Sequence, residues 1–163
     1  MGQLSSVAVR RANEEDLPEI TRVEAAAKSA VLASWGTGSG NRYSGEGLFT
    51  YLSEDENVFG FVTSGNPQVE LFKDDLTGEI LNLYVHPNYQ GHGYGKKLLV
   101  HGLTVLKRRG FEFAIMWIPE IATRALTIST SLNFEEVDGA QLIDNNAGDF
   151  NQVCCKLDLT AYF

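Results

Sequence analysis

Cysteine is almost missing from this chain. Only Cys154 and Cys155 occur in 163 residues, and they are adjacent. Two neighbouring thiols make neither a disulfide framework nor a metal site. Histidine is nearly as scarce, and His86, His92 and His101 lack metal-ligand spacing with any carboxylate. The sequence therefore predicts no structural metal. With only four prolines and no repeat or long linker, residues 1–163 read as one domain, long enough to bury a sizeable core. No apolar run approaches the roughly 20 residues that cross a bilayer. The start, Met1 to Ser6, is too polar for a secretory signal. Met1-Gly2 with Ser6 fits the loose N-myristoylation pattern, but one acyl chain anchors weakly without a basic patch, and none follows. A cytoplasmic protein with no membrane partner is expected.

Positive charge is also in deficit. Thirteen Lys and Arg stand against 21 Asp and Glu, a net charge of −8. A broad basic face for nucleic acid is thereby disfavoured. An acidic surface is compatible with cationic amines.

Apolar residues make up 44% of the chain, ordinary for a globular protein. Residues 7–10 read as a short strand. Asn13 looks like an N-cap, with Glu14, Glu15 and Asp16 in the first turn, where the helix dipole favours acids. Leu17, Ile20, Val23, Ala27, Ala30 and Val31 give a helical stripe to about residue 34. A glycine-rich break follows, then a short helix within 44–52. Residues 57–64, 68–73 and 79–85 read as three antiparallel strands in succession. Residues 96–109 form a helix with Gly110 as its C′ residue. Residues 111–118 are nearly all apolar, as in a strand covered on both faces. Residues 122–132 give another helix, ended by Asn133 in a left-handed cap. Residues 134–137 and 153–159 are the last strands.

The chemistry concentrates between Glu79 and Leu99. Gly91, Gly93 and Gly95 alternate just before a helix. Glycine lets a backbone bend sharply and approach a ligand. N–H groups at a helix start then face an anion, and a pyrophosphate is the natural occupant. Lys96 and Lys97 stand at the wrong end of a helix for cations, a cost that a bound polyphosphate would reverse. A P-loop needs four residues between its glycines, yet Gly91 and Gly95 enclose three. The dinucleotide fingerprint needs glycine where Lys96 stands.

Gln90-Gly91-His92-Gly93-Tyr94-Gly95 resembles the Gln/Arg-x-x-Gly-x-Gly/Ala motif of the GNAT acetyltransferases. Leu83-Tyr84-Val85-His86-Pro87 before it and Lys96-Lys97-Leu98-Leu99 after it extend the likeness. So do Val9-Arg10-Arg11-Ala12 with Asp16, and Asn133-Phe134 where the family has Gly-Phe. The resemblance covers most of the chain, most weakly residues 35–75. It implies an α/β (α+β) fold: a mixed sheet of about six to seven strands flanked by helices, with strands 4 and 5 parallel and splayed. It implies an enzyme that moves an acetyl group from acetyl-CoA, its cosubstrate, to a primary amine by direct attack in a ternary complex.

By the same resemblance, backbone at Leu83, Tyr84 and Val85 pairs with pantetheine, and Gln90, Gly91, His92, Gly93, Tyr94, Gly95, Lys96 and Lys97 wrap the pyrophosphate. The Tyr84 or Val85 N–H is the expected oxyanion donor. Glu79 stands where part of the family keeps a glutamate base; Asp74, Asp75 and Glu46 are further carboxylates. Ser129 falls at the position of the family's acidic tyrosine, and Ala122 at that of an asparagine that binds CoA. Trp35 and Tyr43, with Phe49 and Tyr51, fall where relatives build the acceptor site. The two departures, Ser129 and Ala122, also fit a catalytically weak acyl-CoA-binding module or sensor. The resemblance implies a small-molecule or peptide amine as acceptor, and a homodimer is compatible with the sequence.

Overall fold

A computed structural model describes residues 7–29, 47–67, 76–144 and 150–163. Strand β1, Ala8–Arg11, leads into a reciprocal cap. The Asn13 side chain accepts from the Glu15 N–H at 2.8 Å, and Asp16 accepts from the Asn13 N–H at 2.8 Å. A single 3-10 turn, Glu14–Asp16, then opens helix α1, Leu17–Ser29. Arg10 clamps this start, bonding Asp16 at 2.7 and 2.9 Å and Glu54 at 2.6 Å. Ile20, Val23, Glu24 and Ala27 are the buried stripe of α1.

The short helix expected within 44–52 is a correction. Leu48–Glu54 is a strand, β2. Leu48, Thr50 and Leu52 are buried there, whereas Phe49 and Tyr51 between them are only partly so. That is the period of two of a pleated strand, and aromatic and β-branched side chains favour it. Strands β3, Val58–Gly65, and β4, Thr77–Val85, continue the antiparallel meander. The expected strand at 68–73 lies outside the described residues, and β4 is the antiparallel neighbour of β3.

Helix α2, Tyr94–Arg108, ends at Gly110 with φ +95°. Strand β5, Phe113–Pro119, follows, then α3, Thr123–Ser131. Asn133 has φ +72°, the left-handed stop read from the sequence. Strands β6, Glu135–Asp144, and β7, Phe150–Asp158, complete the sheet. Leu159, expected in the last strand, instead starts a short helix, α4, Leu159–Tyr162. Asp158 turns the chain there by accepting from the N–H groups of Thr160 at 3.0 Å and Ala161 at 3.2 Å.

Among the described residues seven strands are ordered β1-β2-β3-β4-β5-β7-β6, and β4 pairs with β5 in parallel. All nine residues of β4 are buried, as a strand covered on both faces requires. On one face α2 and α3 cover Val62, Ile80, Leu83, Val85, Met116 and Cys155. On the other, α1 covers Leu52, Phe61 and Tyr84, and a smaller cluster joins Ile115, Trp117 and Cys154. Gly102 brings α2 close to the sheet: a Cβ there would lie 3.0 Å from both Ile80 Cδ1 and Val62 Cγ2.

Candidate functional site

Strands β4 and β5 start side by side and then part. Their ladder runs from Thr77 opposite Phe113 to Ile80 opposite Met116 and goes no further. The cause lies on the other edge of β4. Thr63 faces Asn82 whereas Ser64 faces Ile80, so Leu81 is an extra residue in that strand. Such a bulge bends and twists its strand. Beyond Met116, β5 stays paired to β7, so the bent end of β4 opens a gap.

The backbone direction past the bulge follows from strand alternation. The His86 N–H donates to Phe59 O at 2.7 Å, towards β3. Tyr84, two residues back, shares that direction, and its carbonyl lies 3.2 Å from where a Cβ on Gly60 of β3 would stand. Leu83 and Val85 therefore turn their N–H and C=O towards the gap. The Val85 carbonyl accepts from Gln90 Nε2 at 2.9 Å. Of the expected donors Tyr84 and Val85, Val85 is the one whose N–H faces the opening.

Next to this strand end lies a cleft of about 190 Å³. That is below the roughly 300 Å³ that encloses a drug-sized ligand, so it suits one part of a larger molecule. Its wall includes Val85, Gln90, Gly91, Gly93, Tyr94, Gly95 and Lys96 of the expected set. His92 and Lys97 are not on that wall, nor are Leu83 and Tyr84. Gly91 and Gly93 have φ +83° and +84°, a region that strains other residues. A Cβ on Gly93 would meet nothing within 4 Å, so the demand for glycine there is conformational. Gly93 is also the N-cap of α2 and caps it with no side chain. The ladder of α2 begins with the Lys97 N–H on Gly93 O at 3.1 Å. The N–H groups of Tyr94, Gly95 and Lys96 thus have no carbonyl one turn behind them, and they are available to an anion.

Two wall residues were not foreseen, Tyr89 and Ile128. Tyr89 stacks on Phe59 with centroids 4.2 Å apart and planes 4° from parallel. Its hydroxyl donates to Asp55 at 3.4 Å. Burial first, and then the Asp55 carboxylate, raise its pKa above the usual phenol value. The phenol thus stays protonated at neutral pH and forms part of the wall. Ile128 marks which side of α3 meets the cleft, and the signal was its place beside Ser129. Ser129 itself is 1% exposed. Its hydroxyl donates to Leu126 O at 2.8 Å and neighbours the Cys155 thiol, whose pKa burial raises. Ala122, buried, is the N-cap of α3 and offers no side-chain bond.

Glu79 is fully buried, at 0% exposure. It lies opposite Ile115, one residue before the β4–β5 ladder ends. Its flanking neighbours Gly78 and Ile80 face α2, so Glu79 faces the other side of the sheet. There it is one of the charges, after burial and Cys155, that push the Cys154 thiol up to about 12. His101 packs edge-on against Tyr51 at 4.4 Å, and burial followed by Arg108 lowers its pKa. It is a neutral packing group. Trp35, Tyr43, Glu46, Asp74 and Asp75 lie outside the described residues. Among the described residues no three His, Cys, Asp or Glu side chains cluster as metal ligands. No helix among them is long and apolar enough to cross a membrane.

A parted parallel pair beside a glycine turn at a helix start is a family trait, and sequence comparison agrees. The profile of the Acetyltransferase (GNAT) family matches residues 9–126, and the chain belongs to that family. A mycothiol acetyltransferase of Saccharomonospora viridis is 30% identical over 69% of this chain. The chain spans only 35% of that relative's length, and 42% and 48% of two further relatives. YncA of Salmonella typhimurium, solved with its cofactor acetyl-CoA, shares the fold at TM-score 0.70, with 23% identity over 94% of each chain. A ribosomal-protein-alanine N-acetyltransferase of Brucella melitensis does so at TM-score 0.73, with 21% identity over 93% of this chain and 99% of its own.

Proposed function

We propose that this chain transfers an acetyl group from acetyl-CoA to a primary amine, by direct attack in a ternary complex. One observation carries the reading: the gap between β4 and β5 opens beside the turn from Gln90 to Lys96, so one extended ligand can span both. The residues fit the cosubstrate. The first-turn N–H groups of α2 and the positive-φ glycines suit a pyrophosphate. The gap-facing backbone of Leu83 and Val85 suits an amide-bearing arm. Acetyl-CoA, when bound, supplies an activated acyl thioester.

The chain's own part is then positioning and charge. The gap-facing Val85 N–H would donate to the acyl oxygen as negative charge develops there, and one placed donor of this kind is worth roughly 3 kcal/mol. The incoming amine must be neutral, although an alkylammonium resembles lysine, with a pKa near 10. Glu79 accepts its proton through a relay such as water, because a fully buried carboxylate does not touch the acceptor directly. As nitrogen bonds to the acyl carbon, the carbon–sulphur bond breaks, the CoA thiolate departs, and the nitrogen gives up its second proton to solvent. Reprotonation of the thiolate falls to solvent, since Ser129 is engaged with Leu126 and Cys155. The protein works without a membrane partner, in the cytoplasm.

The test is amine-dependent thiol release over a broad amine panel. Turnover with at least one amine is expected, with Glu79→Gln losing it most at lower pH, where fewer amines are neutral. A Glu79→Gln pH profile that overlays the wild type removes Glu79 from this role. The seat of Ser129 favours a second reading, a binding module or sensor with weak catalysis. Acetyl-CoA binding with no turnover on any amine would select it.

A further inference from the structure

We propose that Gln90 is a positioning residue for the acyl carbonyl, acting through Val85. The inference rests on the acyl-transfer reading above. It starts from one peptide unit. The carbonyl of Val85 accepts from Gln90 Nε2 at 2.9 Å, and the N–H of the same peptide, on His86, donates to Phe59 O at 2.7 Å. The Val85–His86 peptide is therefore held at both ends, by the turn on one edge and by β3 on the other. Gln90 reaches back because its own backbone is extended, with φ −74° and ψ 158°. One N–H of its Nε2 is committed to the strand, so the side chain is held towards Val85 and its orientation is set by that bond.

Two consequences follow for the neighbouring Val85 N–H. Fixing the peptide after Val85 fixes that residue's orientation, and so the direction of its N–H. The Val85 carbonyl shares the gap-facing edge with that N–H, and its negative end would oppose charge growing on a nearby acyl oxygen. The Gln90 amide covers that end with a donor. Because Gln90 also starts the glycine turn, its side-chain bond ties that turn to Val85. Gripping the pyrophosphate and polarising the carbonyl are thereby linked through one side chain.

The closing experiment needs no knowledge of the acceptor. Acetyl-CoA carrying a ¹³C label at the thioester carbonyl is bound to the wild type, Gln90→Leu, Gln90→Glu and Gln90→Arg. Affinity is read by calorimetry, and the carbonyl stretch by isotope-edited infrared difference spectroscopy. The wild type should lower the stretch relative to free acetyl-CoA. Gln90→Leu and Gln90→Glu should lose most of that lowering while keeping affinity within about threefold. Gln90→Arg, which keeps a long donor, should restore it. With a working acceptor, kcat should fall by about tenfold or more while KM for acetyl-CoA changes little, as misplacement predicts. If Gln90→Leu does not fold, the near-isosteric Gln90→Glu gives the same reading. A wild-type stretch retained in both variants overturns the proposal, as does lost affinity at unchanged frequency. A wild type that binds acetyl-CoA without lowering the stretch, or does not bind it, instead defeats the transfer reading itself.

Discussion

At the scale of single residues, two positions do more than their exposure suggests. Arg10 ties the start of α1 to β2 through Asp16 and Glu54, and Asp16 also accepts from the Asn13 N–H. The Arg10 guanidinium, ahead of the opposing effect of burial, holds the Asp16 carboxyl below its ordinary range. A depressed carboxyl contributes stability above its unfolded pKa and loses it as pH falls through the folded one. Asp16→Asn should therefore cost about 1 to 2 kcal/mol near neutrality. The gap from wild type should close in acid, in urea midpoints taken from pH 7 down to pH 3. Gly93 is the second case. Since a Cβ there meets nothing, Gly93→Ala should cost roughly 1 to 2 kcal/mol for the left-handed backbone alone. Gly93→Asn should cost less, because asparagine tolerates that region. Equal losses in the two variants, by thermal melting, would mean that conformation is not the reason for glycine.

At the scale of elements, α2 joins the core to the cleft. Its first turn lines the cleft, and Leu98, Leu99, Leu103 and Leu106 anchor it to the sheet. Gly102 sets how closely it lies. Gly102→Val should push the helix off Ile80 and Val62, costing about 1 to 3 kcal/mol. It should weaken CoA binding as well, because the cleft wall moves with the helix. Urea unfolding and CoA titration of the same variant check both; lost stability with unchanged CoA affinity would uncouple helix packing from the cleft. This helix was legible in the sequence because its leucine stripe and terminal Gly110 are local signals. β2 was not legible. Its alternation spans only seven residues, and a serine–glycine–glutamate start resembles a helix cap. The bulge at Leu81 left no local mark either, since a register shift exists only between two strands. The glycine turn could be read because its conformation is written in its own residues. The retreat of Ser129 into the core depends on Cys155 of β7, far along the chain.

At the scale of the whole molecule, the cleft lies where both faces of the sheet meet. β4 contributes Ile80, Leu83 and Val85 to the core under α2, and Tyr84 to the core under α1. A ligand that fills the gap past Ile80 binds the folded sheet and has no counterpart in the unfolded chain, so its binding energy appears as global stability. At 100 times its dissociation constant that amounts to about 2.7 kcal/mol. For a chain of this size it corresponds to a rise in Tm of roughly 5 to 10 °C. The chain carries a net charge of −8, so its distant field opposes a polyanion, and the attraction must be local. Lys96 lines the cleft and Lys97 follows it, in a first turn that holds no acidic residue. The double variant Lys96→Glu/Lys97→Glu should cut the CoA-induced rise to under about half, since close charges at the surface are worth on the order of a kcal/mol each. Its unliganded Tm should hold or increase slightly, because acids suit a helix start. Stability and ligand response should thus move in opposite directions in one protein. Parallel loss of both would mean that these lysines serve the fold, and that the anion is gripped by backbone N–H groups alone.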